Sequence, residues 1–388
     1  MNVKSFIKDF FKQMNNIQNA ILEAIENESN QDFLSDLINN LDNQKCLKDK
    51  HSLKRVLHLI SKIAKNHYRC PQFFDKIKLI INEYKKEIQQ YYSNWEIFNI
   101  FKGNKFIILF LLEQKIIKPT DENYYIIIND KNTSKYYPHY FYPEFINFFD
   151  DKLRNKIEND IITLTGNNKI IQNLSVFNER RKIGENDSQI CQLIRQDSID
   201  EFIIYVNQTN YFLSSTINCS IFETNGFLLK NKTSLINYAA FHGSIQIFKY
   251  LYLNQVPIES STFLYAIHSQ NPIMIHFIEE NIDKTLLIKS LYKRAFYESI
   301  KCHHNEIASY LYNNKNLEQI NYIKCLKKYN FEYSMEMHLD DAMFVYSAKY
   351  DFYDIVNFLL LNQDVHINRL ETLNHFVFYI IYILSYFI

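Results

Sequence analysis

Between Ser234 and Asn254 the chain places two short amphipathic segments around one glycine, and the arrangement returns downstream. Four and five positions after Gly243 stand Ile247 and Phe248, then Tyr250 and Leu251, and Asn254 closes the segment. The same frame fits Gln270 with Met274, Ile275, Phe277, Ile278 and Asn281. It fits His303 with Ile307, Ala308, Tyr310, Leu311 and Asn314, and Asp351 with Ile355, Val356, Phe358, Leu359 and Asn362. A degenerate copy starts at Asp197 with Phe202, Ile204 and Tyr205. Apolar residues at i, i+1, i+3 and i+4 fill one face of an α-helix. One pair of such short helices cannot enclose a core alone, so successive pairs must stack.

The residues at the joints fit this reading. Ser234 can cap a helix by accepting a free backbone N–H. Gly243 allows the left-handed turn between two helices. The closing asparagines suit helix C-termini, because Asn tolerates the left-handed conformation. They are separated by 27, 33 and 48 residues, so one unit is short and another carries an insertion near 315–341. The small pair Ala239-Ala240 permits close packing of a first helix; its counterparts are Ala266-Ile267, Ser299-Ile300 and Ser347-Ala348.

The pattern resembles the ankyrin repeat, a unit of about 33 residues with a T-P-L-H-x-A-A opening. Ser234, Leu235, Ile236 and Asn237 stand at the first four opening positions, and Thr372-Leu373-Asn374-His375 is a closer opening. The block 190–281 is similar to divergent ankyrin proteins of large protist families. The strings that carry this are Ile190-Cys191-Gln192-Leu193-Ile194-Arg195, Ser214-Ser215-Thr216-Ile217 and Ser220-Ile221-Phe222-Glu223-Thr224-Asn225. The resemblance covers the C-terminal half and weakens after residue 315. With 5 Gly and 6 Pro in the chain, most glycines of an ideal unit are missing, so the expected stack is irregular. The resemblance implies protein recognition through first-helix ends and hairpin tips. In this register those are Phe241, His242, His268, Ser269, Lys301, Cys302, Lys349 and Tyr350.

Before the repeats, four amphipathic stripes over 3–25, 33–41, 53–64 and 73–88 predict a helical bundle. The segment from Trp95 to Leu112 is more apolar and is expected at the centre of packing. Residues 121–150, with Pro138 and Pro143 among aromatics, read equally as a short strand or an irregular loop. The polar stretch Asn167–Gln189 is the expected junction. The fold class is therefore all-α, with an N-terminal helical region over 1–180 and degenerate ankyrin-like repeats over 190–388.

Charge narrows the partners. The 43 basic and 43 acidic residues cancel, so no net field attracts nucleic acid. The runs Arg180-Arg181-Lys182 and Lys327-Lys328 read as solvated surface. Six cysteines show no C-x-x-C and read as free thiols of a reducing compartment. With charges at Lys4, Lys8, Asp9 and Lys12 breaking the N-terminal apolar pattern, the expectation is a cytoplasmic chain. Phe376–Ile388 is apolar but would span only about 20 Å as a helix against a bilayer core of about 30 Å. It reads as the buried first helix of a further repeat, or as a candidate membrane or partner contact.

No dinucleotide, P-loop, G-x-S-x-G or H-E-x-x-H motif occurs. Cys302-His303-His304 offers adjacent donors, but neighbours on a helix point about 100° apart and read as packing. Paired carboxylates at Glu279-Glu280 and Asp340-Asp341 stand in polar connections. The expectation is a scaffold for an unidentified protein partner, with no catalytic residue, metal ligand or cofactor, and no enzyme. The alternatives are a membrane-associated structural protein using the 376–388 tail and an enzyme with an unrecognised N-terminal site.

Overall fold

The computed structural model describes residues 3–27, 32–43, 49–129, 136–315, 317, 320–333, 341–350 and 352–361. Every regular element among them is helical, and the one β-type pairing is an isolated bridge between Thr216 and Ser234. The chain forms two compact units, each discontinuous in sequence. One holds Met1–Lys62, Cys70–Ile80 and Glu318–Ile388; the other holds Ile63–Arg69 and Ile81–Leu317.

The N-terminal stripes are helices, at Val3–Glu26, Phe33–Asn43, Lys50–Asn66 and Phe73–Glu83. Within the first unit, Val3–Glu26 packs on Phe33–Asn43 and on Tyr353–Leu361. Phe11 is fully buried, 6.2 Å from the ring of Phe331 and 6.3 Å from that of Phe352. Buried Gln18 accepts the Phe331 N–H at 2.9 Å. Arg55 pairs with Asp354 at 2.7 Å.

In the second unit, the helix Lys105–Glu113 is apolar on all sides and buried from Lys105 to Leu112. Asn104 caps it by accepting the N–H groups of Phe106 and Ile107. Each large apolar side chain fully buried there contributes about 1.5–3 kcal/mol. Trp95, expected inside, is 48% exposed. Residues 121–150 are neither strand nor plain loop where described. They form helices at Asp121–Asn129, Tyr137–Tyr140 and Tyr142–Phe145. Pro138 and Pro143 sit in the first turns of the two short ones, where a missing N–H costs nothing. The polar stretch after residue 167 holds a helix, Leu174–Ile183. Arg181 on it is buried rather than solvated, because the Glu144 carboxylate grips it through both oxygens at 2.7 and 2.8 Å.

Four helix pairs follow in this unit. They are Gln189–Arg195 with Ile199–Thr209, Leu235–His242 with Ile245–Leu253, Ser260–His268 with Pro272–Asn281, and Lys289–Cys302 with Asn305–Asn314. A fifth, Asp341–Lys349 with Tyr353–Leu361, belongs to the first unit. The first helices of the four pairs pack in sequence order, each on the next. The second helices do likewise: Phe202 meets Tyr250 at 6.1 Å, Phe248 meets Phe277 at 5.8 Å, and His276 meets Tyr310 at 5.6 Å.

One turn recurs at the joints. Asp197, Gly243, Gln270 and His303 all take a left-handed backbone, with φ of 49°, 71°, 53° and 61°. The next residue donates its N–H five residues back: Ser198 to Leu193, Ser244 to Ala239, His304 to Ser299 and, in the fifth pair, Phe352 to Ser347. That is the Schellman closure of a helix end. In the third pair the Asn271 N–H turns instead to the Ser269 hydroxyl at 3.2 Å.

The residue after the turn also reaches the preceding pair. Ser244 donates to the Ile194 carbonyl, the Asn271 amide donates to the Gly243 carbonyl at 3.4 Å, and His304 Nδ1 bonds the Ile267 carbonyl at 2.8 Å. Asp197 returns the link by accepting the N–H groups of Gln246 and Ile247, both at 3.0 Å.

The asparagines close helices by a different route from the one expected. Asn254 has φ of −86°, outside the left-handed region, and Gln255 takes that conformation with φ of 65°. The side-chain amides do the work: Asn254, Asn281 and Asn314 donate to the carbonyls of Tyr250, Phe277 and Tyr310 at 2.8, 2.8 and 3.0 Å. At Tyr250 the side-chain bond adds to the Asn254 backbone N–H that the same carbonyl accepts at 3.1 Å. Asp351, Asn362, the opening Thr372–His375, Asp340 and the apolar stretch Phe376–Ile388 lie outside the described residues.

The membrane contact held as an alternative is corrected. No helix among the described residues is long and apolar enough to cross a membrane.

Candidate functional site

The ends of three successive first helices converge. Leu235–His242 ends beside Ser260–His268, which ends beside Lys289–Cys302. His268 therefore lies between the neighbouring helix ends. The Phe241 ring stacks on it at 4.8 Å, and the Phe227 ring covers it at 4.3 Å. Its imidazole is 3% exposed.

Polar groups meet both ring nitrogens. Nε2 stands 2.8 Å from Glu298 Oε1, and Nδ1 stands 3.4 Å from Cys302 Sγ. Glu298 Oε1 also takes the Lys301 ammonium at 2.5 Å. Burial opposes the Glu298 charge, but the His268 hydrogen bond and Lys301 outweigh it and hold the carboxyl down to about 2. A carboxylate only accepts, so His268 Nε2 carries the proton. Burial keeps the ring neutral, below its ordinary range, despite the pull of Glu298. Nδ1 is then a bare lone pair facing the Cys302 sulfur.

His268, Glu298 and Cys302 present donor atoms within 4.8 Å of one another. This corrects the expectation of a chain without metal ligands or enzyme chemistry. A thiol, a neutral imidazole and a carboxylate in series can pass a proton from sulfur to ring. The same sulfur and ring nitrogen can hold a metal ion.

Histidines continue beyond this point. His67 Nδ1 bonds the Cys302 carbonyl at 2.8 Å, and the His67 and His304 rings are 5.0 Å apart. His304 uses both nitrogens, accepting the Tyr68 N–H at 3.3 Å on Nε2 and donating from Nδ1 to Ile267. Burial, then His67, holds His304 well below its ordinary range.

Six of the eight residues read from the sequence gather at these helix ends, but mostly inward. Phe241, His268, Ser269 and Cys302 are buried, and the Ser269 hydroxyl is spent on the Ala266 carbonyl at 2.8 Å. A side chain packed in this way presents no face to a partner. His242 is half-buried, 4.5 Å from the Tyr238 ring, and its Nε2 has no hydrogen-bond partner. Burial pushes it down to about 3, helped by Arg195 and Arg69 and opposed by Glu185. Lys301 is 21% exposed. Lys349 is exposed and Tyr350 half-buried, both in the other compact unit.

Glu298 escaped the sequence reading. It lies one turn before Cys302, and no spacing within one helix marks it. The signal was available only across repeats, since His268 and Cys302 each end the first helix of their pair.

A second buried polar cluster lies in the same unit. Arg195 pairs with Glu185 at 2.7 Å and bonds the Tyr238 hydroxyl at 2.8 Å. Arg69 bonds the Gly184 carbonyl at 3.1 Å and Thr224 at 2.8 Å. Burial pushes Lys105 down to about 7, with Glu223 opposing. Its ammonium sits 4.6 Å over the Tyr140 ring and bonds the Ile221 carbonyl.

Comparison with protein-family models, curated proteins and solved structures finds no match.

Proposed function

We propose that the chain is a protein-recognition scaffold built on an irregular, ankyrin-like stack. The observation that carries this reading is the recurring joint, a left-handed turn whose following residue reaches the pair before it. Units joined to their sequence neighbours in this way build an extended surface rather than a closed chamber. Large apolar side chains stand out from three successive second helices: Ile204 at 55%, Leu253 at 78% and Ile273 at 63% exposure. These replace the buried Phe241, His268, Ser269 and Cys302 as the residues offered to a partner.

The test is affinity capture with the full chain and with a Leu253→Glu/Ile273→Glu variant of equal helicity. A defined protein retained by the parent and lost by the variant supports the reading. Equal retention by both, or no reproducible protein with either, contradicts it.

A further inference from the structure

The thiol–imidazole contact between the third and fourth helix pairs has the geometry of two ligands waiting for one ion. Zinc binds sulfur at about 2.3 Å and imidazole nitrogen at about 2.0–2.1 Å. An ion at those bond lengths from Cys302 Sγ and His268 Nδ1, themselves 3.4 Å apart, would subtend about 103°. That is close to the tetrahedral angle. No rotation of the ring is needed, because the proton already sits on Nε2, where Glu298 holds it.

We propose that Cys302 Sγ and His268 Nδ1 are ligands of a Zn²⁺ ion, with Glu298 as the outer partner of His268. The ion takes the place of the thiol proton, which leaves to solvent as the thiolate forms. The thiolate cancels one of its two positive charges, and the Glu298 carboxylate, which also pairs with Lys301, faces the other ring nitrogen of His268. A carboxylate on the far nitrogen of a metal-bound histidine fixes its tautomer and raises its basicity. The ligands come from different pairs, so the ion clamps the Ser260–His268 helix to the Lys289–Cys302 helix. This inference is independent of the recognition reading, since the clamp acts whether or not a partner binds.

The experiment uses the full chain, reduced and stripped with a chelator, titrated with Zn²⁺ alone and, in parallel, with Co²⁺. One equivalent should bind, and Co²⁺ should give the near-ultraviolet charge-transfer absorption of a thiolate ligand. Cys302→Ser should abolish that absorption, and Glu298→Gln should weaken binding about 10–100-fold. Exposed Cys219→Ser should leave both unchanged. Should Cys302→Ser lose helicity, thiol alkylation of the parent chain decides: Zn²⁺ must slow modification of Cys302 and not of Cys219. Absence of the absorption in the parent, its persistence in a folded Cys302→Ser, or equal alkylation of Cys302 with and without Zn²⁺ overturns the proposal.

Discussion

Mild acid should loosen the helix-pair unit, and His242 should carry a measurable share of the loss. Its ring is held near 3 in the folded chain by burial, with Arg195 and Arg69 adding to the effect and Glu185 opposing it. In the unfolded chain a histidine titrates near 6.5. Between those values the unfolded state binds a proton that the native state refuses, so stability falls as pH drops. From pH 7 to pH 5 this group alone removes about 2 kcal/mol, at about 1.4 kcal/mol per pH unit once below 6.5. His268 and His304 act in the same direction. Glu223, whose carboxyl burial raises, acts in the opposite one. His242→Gln isolates the term, because Nε2 has no hydrogen bond to lose. The single tryptophan, Trp95, belongs to the same unit and reports its unfolding by fluorescence. Urea midpoints at pH 7, 6 and 5 should converge for parent and variant as pH falls, the variant losing about 2 kcal/mol less. Parallel pH dependences would refute the neutral, buried state of His242.

Three further outcomes follow from the geometry. Gly243→Ala should cost about 1–2 kcal/mol, because φ is 71° and a Cβ would stand 3.3 Å from that of Ser269; Gln270→Gly, at φ of 53°, should cost nothing or gain slightly in the same thermal scans. Lys105 stays neutral in the fold above about 7 while the unfolded chain keeps its charge to about 10.4, so the parent should gain about 2 kcal/mol between pH 7 and 9. Lys105→Met should abolish that gain in urea titrations at the two pH values. Asp197→Ala should cost about 1–2 kcal/mol through the lost cap on Gln246 and Ile247, read as a lowered urea midpoint.

Much of the helical layout was legible because it rests on local rules. The anchors Asp197, Gly243, Gln270 and His303 were placed by counting apolar residues, and each takes the left-handed turn although only one is glycine. Periodicity states which face is buried, not what buries it. It could not show that Val3–Glu26 packs against Tyr353–Leu361, or that Arg181 in a basic run is enclosed by Glu144. Proline misled at 138 and 143, since its place in a first helical turn looks like a break when the helix has four residues. The site was half legible. His268 and Cys302 were marked by register, but register gives position along a helix and not the direction of the side chain. Both point inward, and their link to Glu298 depends on how two helices meet.

Residue-resolved hydrogen exchange over 189–314 tests the stack most directly. The amides of Ser198, Ser244 and His304 should be protected together, with opening free energies near that of the whole unit, because each closes a turn tied to its neighbour. Free exchange at these turns, or pairs that open one at a time with unrelated energies, would contradict a stack held together by its joints.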